Sequence, residues 1–305
     1  MKDRFRFIYL AYGGWQFRKE AVISIRSLAE KGPLPGKILV YTDRPREFEH
    51  LPVEAVLLTK SRMKKWMGPY GFVHRMKIEL LMDLFGEGGG HLILVDGDSV
   101  WTHGPARICE SLENGRVVMH DREHDISKFF FPEYLAVLDD TGRLEKAGLP
   151  VTGRRPLRMF NAGVVGLPST MNPRVLEEVL RLCDLLSRSV PFKMTWVEQT
   201  AFSYIFQSRG MEIETCEAEV FHYWRDSFEF SRRIKKCSFE ELEELAGKPE
   251  RIFELIEDGR RLRRSFWNQF LLRAERLERS IGKRKRESLV FLETLKFKML
   301  GKGLP

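Results

Sequence analysis

Two carboxylates separated by a single glycine follow the most apolar run of the chain. Asp96, Gly97 and Asp98 come directly after residues 92–95, Leu-Ile-Leu-Val. Side chains at positions i and i+2 of an extended chain point to the same side, so both carboxylates can bind one hard divalent cation. Gly97 has no Cβ and would let a phosphate approach the backbone closely. A Mg²⁺ or Mn²⁺ ion held there would neutralise the charge of a diphosphate.

The same Asp-Gly sequence between apolar runs is also a strong signal for a β-hairpin. The preceding elements favour the metal site. Residues 4–11 and 37–42 have the composition of strands, and the segment between them has a helical pattern that ends at a Gly-Pro pair. A strand near 53–58 and a helix through 73–85 continue the alternation expected of a mainly parallel sheet. Because ligands bind at the carboxyl ends of strands in such sheets, a metal site is favoured and the hairpin is the alternative.

The middle of the chain is less regular. Its apolar runs predict two strands and its apolar periodicity predicts two helices. The stretch between the strands has the character of an insertion that faces the substrate. These segments are the strands 117–121 and 159–167, the helices 173–187 and 197–208, and the insertion 124–158.

Positive charge is concentrated at the C-terminal end. The chain has 51 Lys and Arg against 43 Asp and Glu, and residues 260–305 hold 14 of the former but 4 of the latter. The pattern is helical and amphipathic from residue 239 on. We therefore predict an α/β domain over 1–238 and a helical, basic C-terminal extension over 239–305. Apolar and basic residues together within 260–303 predict binding to an anionic membrane surface. Within this segment, packing on the main domain is the first interpretation for the apolar face around 262–277, and membrane binding is the first for 283–302.

Other features of the chain exclude several classes of protein. No RRM, KH or helix-turn-helix signature accompanies the basic residues, so no nucleic acid is expected as a partner. The four cysteines lack metal-binding spacing and are typical of reduced thiols. No run approaches the roughly 20 apolar residues of a membrane-spanning helix, and the N-terminus has the pattern of a strand rather than a signal peptide. We expect a cytoplasmic protein that is peripheral at the inner face of the membrane.

Three sequence motifs together resemble a known family. The Asp96-Gly97-Asp98 triplet at the end of an apolar strand resembles the hallmark of metal-dependent GT-A glycosyltransferases. Residues 160–164, Phe-Asn-Ala-Gly-Val, are similar to a strand of the family-eight group, which includes glycogenin and bacterial lipopolysaccharide sugar transferases. Residues 198–199, Glu-Gln, match the acid–glutamine pair of that group. The resemblance extends over roughly residues 4–225, and the motifs follow one another in the order that the family has.

The resemblance implies a fold and an activity. The fold would be the GT-A-type α/β fold, a single mixed, mainly parallel sheet flanked by helices, here with the helical C-terminal extension. The activity would be transfer of a sugar from a nucleotide-diphospho-sugar, with a UDP-sugar favoured, to a glycan or lipid-linked acceptor with retention and with Mn²⁺ or Mg²⁺. The alternatives are a catalytically inactive scaffold or membrane-associated binding protein with the same fold, and a sugar nucleotidyltransferase.

The resemblance also implies roles for individual residues. The implied metal ligands are Asp96, Asp98 and His222. The implied contacts with the nucleotide-sugar are Ala11, Tyr12, Asp43, Arg75, Asp96, Gly97 and Asp98. The implied catalytic residues are Gln199, Glu198 and Asn161.

Several of these residues also have a structural interpretation. A lone histidine such as His222 is often structural, and Arg75 fits a solvated helix face. Asn161 fits a turn or a close approach of strands. Glu198 and Gln199 fit an exposed helix start, where an acidic residue interacts favourably with the helix dipole.

Overall fold

The structure is a computed structural model, and it describes most of the chain. The described residues are 4–126, 132–152, 157–189, 196–224, 230, 234–235, 237–246, 248 and 251–257. The chain divides into two compact units, Met1–Glu254 and Leu255–Pro305. The segment 260–303, for which we predict membrane binding, lies outside the described residues. The predicted domain boundary at residue 238 stays a prediction.

The described part of the chain contains both the predicted strands and several that the sequence pattern did not define. The strands are β1 (Phe5–Leu10), β2 (Gly36–Thr42), β3 (Glu54–Leu57), β4 (His91–Val95), β5 (Ser99–Trp101), β6 (Val117–Met119), β7 (Arg122–Asp125), β8 (Arg158–Phe160), β9 (Val164–Leu167), β10 (Ile213–Thr215) and β11 (Val220–His222).

Seven of these strands form one large sheet, in the order β10-β6-β9-β4-β1-β2-β3. Strand β9 runs antiparallel to its neighbours β4 and β6, and the other pairs are parallel. The predicted α/β class with a mixed, mainly parallel sheet is therefore confirmed. Strand β4 lies near the middle of this sheet with all five residues buried, as its continuous apolar run predicts.

The helices cover the sheet, and their bounds agree closely with the predicted ones where a prediction was made. A 3₁₀ turn, Pro45–Phe48, follows β2. The helices are α1 (Trp15–Ala29), α2 (Lys60–Met67), α3 (Arg75–Gly86), α4 (Ala106–Glu113), α5 (Pro132–Asp139), α6 (Thr141–Lys146), α7 (Arg174–Ser189), α8 (Val197–Ser208) and α9 (Phe239–Ala246).

Helices α3, α7 and α8 bury their apolar faces in the main hydrophobic core. In α7 the buried residues Val175, Val179, Leu182 and Leu186 recur every three or four positions, which places them on one face of the helix. Helix α1 packs against β5 and α9. None of the helices in the described residues has the length and apolar character that crossing a membrane requires.

The hairpin alternative for Asp96-Gly97-Asp98 is wrong, because β4 and β5 do not pair with each other. Strand β4 pairs with β1 and β9 in the large sheet, whereas β5 pairs with β11 in a separate two-stranded sheet. The triplet therefore connects two sheets. In the second sheet His222 lies directly opposite Ser99, so the β5–β11 pairing brings a distant histidine beside the carboxylates.

The predicted insertion, residues 124–158, contains the end of β7, both α5 and α6, and the start of β8. Strands β7 and β8 pair with each other in a third, two-stranded sheet. Segments 127–131 and 153–156 of the insertion lie outside the described residues. That this insertion faces the substrate stays a prediction.

Candidate active site

The backbone around the two carboxylates is fixed by hydrogen bonds from three directions. The Asp96 amide donates to the Gly163 carbonyl (2.8 Å), which continues the pairing of β4 with β9. The Ser99 hydroxyl donates to the Asp96 carbonyl (2.6 Å). The Tyr223 amide donates to the Asp98 carbonyl (3.0 Å). Asp96 is thus held by Gly163, which is 67 positions away, and Asp98 by Tyr223, which is 125 positions away.

A buried network of hydroxyl groups lies behind this turn. The Ser24 hydroxyl is 2.9 Å from the Ser99 hydroxyl and 3.2 Å from the Tyr9 phenol oxygen. The Trp101 indole donates to the same phenol oxygen (3.0 Å). Burial raises the pKa of Tyr9 to about 12, although its hydrogen bonds to Ser24 and Trp101 oppose this shift. The network is therefore neutral and serves to hold α1, β1 and β5 together beneath the carboxylates.

Asp96, Asp98 and His222 form a cluster with the chemistry of a metal site. The His222 Nε2 atom is 3.1 Å from Asp98 Oδ1 and 3.9 Å from Asp96 Oδ2. One ligand atom from each of the three side chains lies within 4.8 Å of the others. Two carboxylates and an imidazole suit Mn²⁺, and the carboxylates also suit Mg²⁺. The three ligands that the resemblance implied are brought together, so the described residues fit a divalent cation.

Lys77 of α3 adds a buried positive charge to this cluster. Its ammonium group is 2.7 Å from Asp96 Oδ2, 3.5 Å from the Ala162 carbonyl and 3.8 Å from Glu198 Oε1. Burial alone lowers the pKa of Lys77, but the neighbouring carboxylates outweigh it and the pKa lies above its ordinary value. For Asp98 the directions are reversed. Burial raises the pKa of this carboxyl group, but the charges of His222 and Lys77 outweigh burial, and the pKa of Asp98 lies below its ordinary value. Both groups are therefore charged at neutral pH.

Arg75, the basic residue that the resemblance implied for the donor, points elsewhere. Its guanidinium contacts Asp184 of α7 (2.6 Å), Glu79 (2.7 Å) and the Trp66 carbonyl (2.8 Å). The interpretation that Arg75 lies on a solvated helix face is wrong, because only 10% of its side chain is exposed. Its contact with a donor stays a prediction. The basic residue that contacts the carboxylate cluster is Lys77. It lies two residues after Arg75 in α3 and therefore on a different face of the helix.

Asn161 connects the metal cluster to a strand that the sequence did not single out. Its Oδ1 atom accepts from the Gly163 amide (2.8 Å) and lies 3.0 Å from His222 Nδ1. Its Nδ2 atom donates to Glu123 Oε1 on β7 (3.1 Å). The hydrogen bond from the Gly163 amide agrees with the interpretation of Asn161 as a turn residue. The Asn161 side chain also contacts His222 at Nδ1, whereas Asp98 contacts the same imidazole at Nε2.

Gln199 and Glu198 begin α8 inside the protein and not at an exposed helix start. Gln199 donates from Nε2 to Glu123 Oε2 (2.9 Å) and accepts at Oε1 from the Ala162 amide (3.3 Å). Glu198 Oε1 lies 3.3 Å from His74 Nδ1. The other carboxylate oxygen of Glu198, Oε2, is buried and has no hydrogen-bond partner among the described residues. A buried acceptor of this kind can bind a hydroxyl group of a ligand.

The carboxyl ends of β1 and β2 bring the predicted nucleoside-binding residues together. The Ala11 amide donates to the Tyr41 carbonyl (2.9 Å), which extends the parallel pairing of β1 with β2 by one residue. The Gly13 amide then donates to Asp43 Oδ1 (3.3 Å). Ala11 is buried, whereas Asp43 is partly exposed. The two residues lie at the same edge of the sheet as the carboxylates that follow β4.

Tyr12 lies close enough to the carboxylate cluster to interact with it electrostatically. Burial raises the pKa of the Tyr12 phenol; the Lys77 charge lowers it and the Asp96 charge raises it by smaller amounts. Its side chain is partly buried against the main core. Tyr12 therefore lies between the end of β1 and the cluster.

The close approach at Gly97 is to helix α1. A Cβ atom on Gly97 would lie 3.2 Å from the Ala21 nitrogen and 3.3 Å from the Phe17 carbonyl oxygen. These are backbone atoms, which cannot move aside as the end of a side chain can. Glycine at this position thus avoids a tight contact with the backbone of α1, and the approach of a phosphate to Gly97 stays a prediction.

Comparison with known proteins gives structural neighbours only. No family model matches the sequence, and no curated protein matches it. One similar solved structure is the apo form of mouse xyloside xylosyltransferase 1, at 12% identity and a TM-score of 0.45, covering 70% of this chain and 84% of that one. Another is an active-site mutant of LgtC, at 13% identity and a TM-score of 0.47, covering 79% of this chain and 95% of that one.

Both similarities are distant. A shared fold hosts many unrelated activities, so the function of this chain has to be inferred from the chemistry of its own site.

Proposed function

We propose that the protein is a metal-dependent glycosyltransferase. It moves a sugar from a nucleotide-diphospho-sugar, with a UDP-sugar favoured, to a glycan or lipid-linked acceptor, and the anomeric configuration is retained. The observation that carries this proposal is the convergence of Asp96, Asp98 and His222 at the carboxyl end of β4, with ligand atoms within 4.8 Å of one another. A bound Mn²⁺ or Mg²⁺ would stabilise the negative charge of the departing nucleotide diphosphate.

The residues around the cluster supply the other functions that such a reaction requires. The Lys77 ammonium group adds a fixed positive charge beside the expected position of the diphosphate. Asp43 and Tyr12, at the ends of β2 and β1, lie at the same sheet edge and are the proposed contacts for the nucleoside. The unpaired Oε2 atom of Glu198 is the proposed acceptor for a hydroxyl group of the donor sugar.

The two amides near the cluster are the proposed neighbours of the reacting sugar. Gln199 is bound at both ends of its amide, by Glu123 and by the Ala162 backbone, and its position is therefore fixed before substrate arrives. Asn161 is fixed in the same way between Glu123 and His222. We assign no covalent nucleophile. Catalysis in this proposal is stabilisation of the leaving group and orientation of donor and acceptor.

A ligand screen with an activity assay tests the proposal. The protein is heated with UDP-, GDP-, ADP- and CDP-sugars, each with and without Mn²⁺, and then assayed for hydrolysis or transfer with a panel of acceptors. At 100 times its dissociation constant, a donor stabilises the fold by about 2.7 kcal/mol. We expect one nucleotide class to stabilise it in a Mn²⁺-dependent manner and its sugar to be transferred. Binding without turnover across the panel would instead support the inactive scaffold.

We also propose an anionic membrane surface as a partner of residues 260–303. The support is the sequence alone, in which basic and apolar residues alternate over this segment. Each basic residue near an anionic leaflet contributes about 1 kcal/mol. We expect the protein to sediment with vesicles that contain anionic lipid and to be released as salt rises to about 1 M, where the screening length falls to about 3 Å. Equal binding to neutral vesicles, or no binding to either, contradicts the proposal.

A further inference from the structure

One carboxylate, Glu123 on β7, accepts hydrogen bonds from the side-chain amides of both Asn161 and Gln199. Its Oε1 atom accepts from Asn161 Nδ2 (3.1 Å), and its Oε2 atom accepts from Gln199 Nε2 (2.9 Å). We infer that Glu123 is a positioning residue: it fixes the orientation of both amides and, through Asn161, the nitrogen that His222 presents to the metal. The metal and transfer aspects of this inference rest on the proposed function, whereas the amide orientation does not.

The step from Glu123 to His222 follows from the hydrogen-bonding capacity of each group. An ionised carboxylate only accepts hydrogen bonds, so Asn161 must turn its NH₂ group toward Glu123 and its oxygen away from it. That oxygen accepts from the Gly163 amide and faces His222 Nδ1 at 3.0 Å. Nδ1 therefore carries a hydrogen, and the lone pair of a metal-binding imidazole is left on Nε2, the atom beside Asp98.

The step from Glu123 to Gln199 uses the second carboxylate oxygen in the same way. Gln199 must turn its NH₂ group toward Glu123, and its oxygen accepts from the Ala162 amide at 3.3 Å. Ala162 and Asn161 are adjacent in the chain. Glu123 thus orients the metal-facing histidine and the amide at the reacting sugar together, from a strand that contributes none of the proposed metal ligands.

The variant Glu123→Gln tests whether Glu123 orients the two amides or only stabilises strand β7. A glutamine at this position has one accepting oxygen and one NH₂ group, so one of the two amides must face a donor instead of an acceptor. We expect the Mn²⁺ affinity to fall by about 10- to 100-fold, as for other residues that orient a metal ligand. We also expect the turnover number to fall, with a smaller change in the KM for the acceptor.

A swap of the two groups provides the rescue. In the double variant Glu123→Gln, Asn161→Asp, the new carboxylate accepts from Gly163 N, from His222 Nδ1 and from the new amide at position 123. The oxygen of that new amide accepts from Gln199. Every donor again faces an acceptor, and the net charge equals that of the wild type. We expect each single variant to lose Mn²⁺ affinity and the double variant to return to within about threefold of wild type.

Asp125→Asn is the matched control on the same strand. Asp125 forms an ion pair with Arg158 of β8 (2.7 Å), so its substitution disturbs the β7–β8 pairing without touching either amide. We expect Mn²⁺ affinity and turnover to stay at the wild-type values. A loss in Asp125→Asn as large as in Glu123→Gln would show that β7 acts only as structural support and would overturn the inference.

A spectroscopic measurement without metal or donor completes the test. The chain has four asparagines and four glutamines, so selective ¹⁵N labelling resolves the side-chain amides of Asn161 and Gln199 by NMR. We expect both amides to show the shifts of a hydrogen bond to a carboxylate in the wild type and at least one to lose them in Glu123→Gln. Unchanged amides overturn the inference, even in an active enzyme. Shifted amides with an unchanged Mn²⁺ affinity in Glu123→Gln would overturn the step from Asn161 to His222. Shifted amides with the expected loss of Mn²⁺ affinity, but no sugar transfer by the wild type, would count against the proposed function alone.

Discussion

We expect Asp98→Asn to abolish the Mn²⁺-dependent stabilisation of the protein by the proposed nucleotide-diphospho-sugar. An amide is a much weaker ligand for a divalent cation than a carboxylate, and Asp98 is one of the three candidate side-chain ligands among the described residues. Substitutions that merely orient a ligand already cost 10- to 100-fold in metal affinity, so we expect a loss of at least about 100-fold here. The shift in melting temperature between samples with and without Mn²⁺ and donor is the measurement, and sugar transfer is lost with it.

The comparison of samples with and without ligand separates this effect from a change in the metal-free fold. Asp98 is 3.1 Å from His222 Nε2, so its substitution also changes the stability of the metal-free protein. Asp83→Asn is the matched control, because Asp83 forms a half-exposed pair with Arg62 (2.9 Å) on the surface of α3. The control should keep the full ligand-dependent shift. A shift that survives in Asp98→Asn would place the metal site elsewhere.

The residues of the metal cluster could be predicted from the sequence because their geometry is local or follows from one pairing of strands. Asp96 and Asp98 are two positions apart at the end of a buried strand, so their convergence is a property of extended backbone. His222 needed more than local geometry. No pattern places β11 against β5, and only the resemblance to a family connected this histidine with the carboxylates.

The position of Lys77 in the carboxylate cluster could not be predicted, because it depends on how α3 is rotated about its axis. Arg75 and Lys77 are both basic residues near the start of one helix, and they face different directions. The rotation is set by contacts that are distant in sequence, namely the pairing of Arg75 with Asp184 of α7 and the fit of Lys77 between Asp96 and Glu198. No spacing within the helix itself contains this information.

Glu123 was missed for a related reason. It lies in β7, a strand of four polar residues, Arg-Glu-His-Asp, without the apolar alternation by which strands are recognised. Its partners, Asn161 and Gln199, are 38 and 76 residues further along the chain. The requirement for an acceptor near Asn161 and Gln199 could be inferred only from hydrogen bonding: among the described residues their buried NH₂ groups donate to Glu123, and a buried NH₂ group requires an acceptor. That requirement can be recognised only when the amides themselves are known to be buried.

Gly163→Ala is expected to damage both the fold and the metal site. A Cβ atom at this position would lie 2.2 Å from His222 Nδ1 and 2.5 Å from its Cε1, which is far inside van der Waals contact. His222 cannot move away, because its side chain is 5% exposed and lies between Asp98 and Asn161, with His120 at 5.2 Å. Overpacking of this kind costs about 1–3 kcal/mol of unfolding free energy.

A double-variant cycle shows whether this collision is the cause. Gly163 has no left-handed backbone conformation, so alanine is penalised by the lack of space and not by backbone strain. His222→Ala removes the atoms that the new methyl group would strike. We therefore expect Gly163→Ala to cost stability in the wild type but, within about 0.5 kcal/mol, nothing when His222 is already alanine. Urea unfolding of the four proteins measures this difference. If Gly163→Ala lowers the unfolding free energy equally in both backgrounds, the conformation of the β8–β9 connection itself requires glycine. If it lowers the unfolding free energy only when His222 is present, as we expect, Gly163 is needed because His222 fills the space beside it.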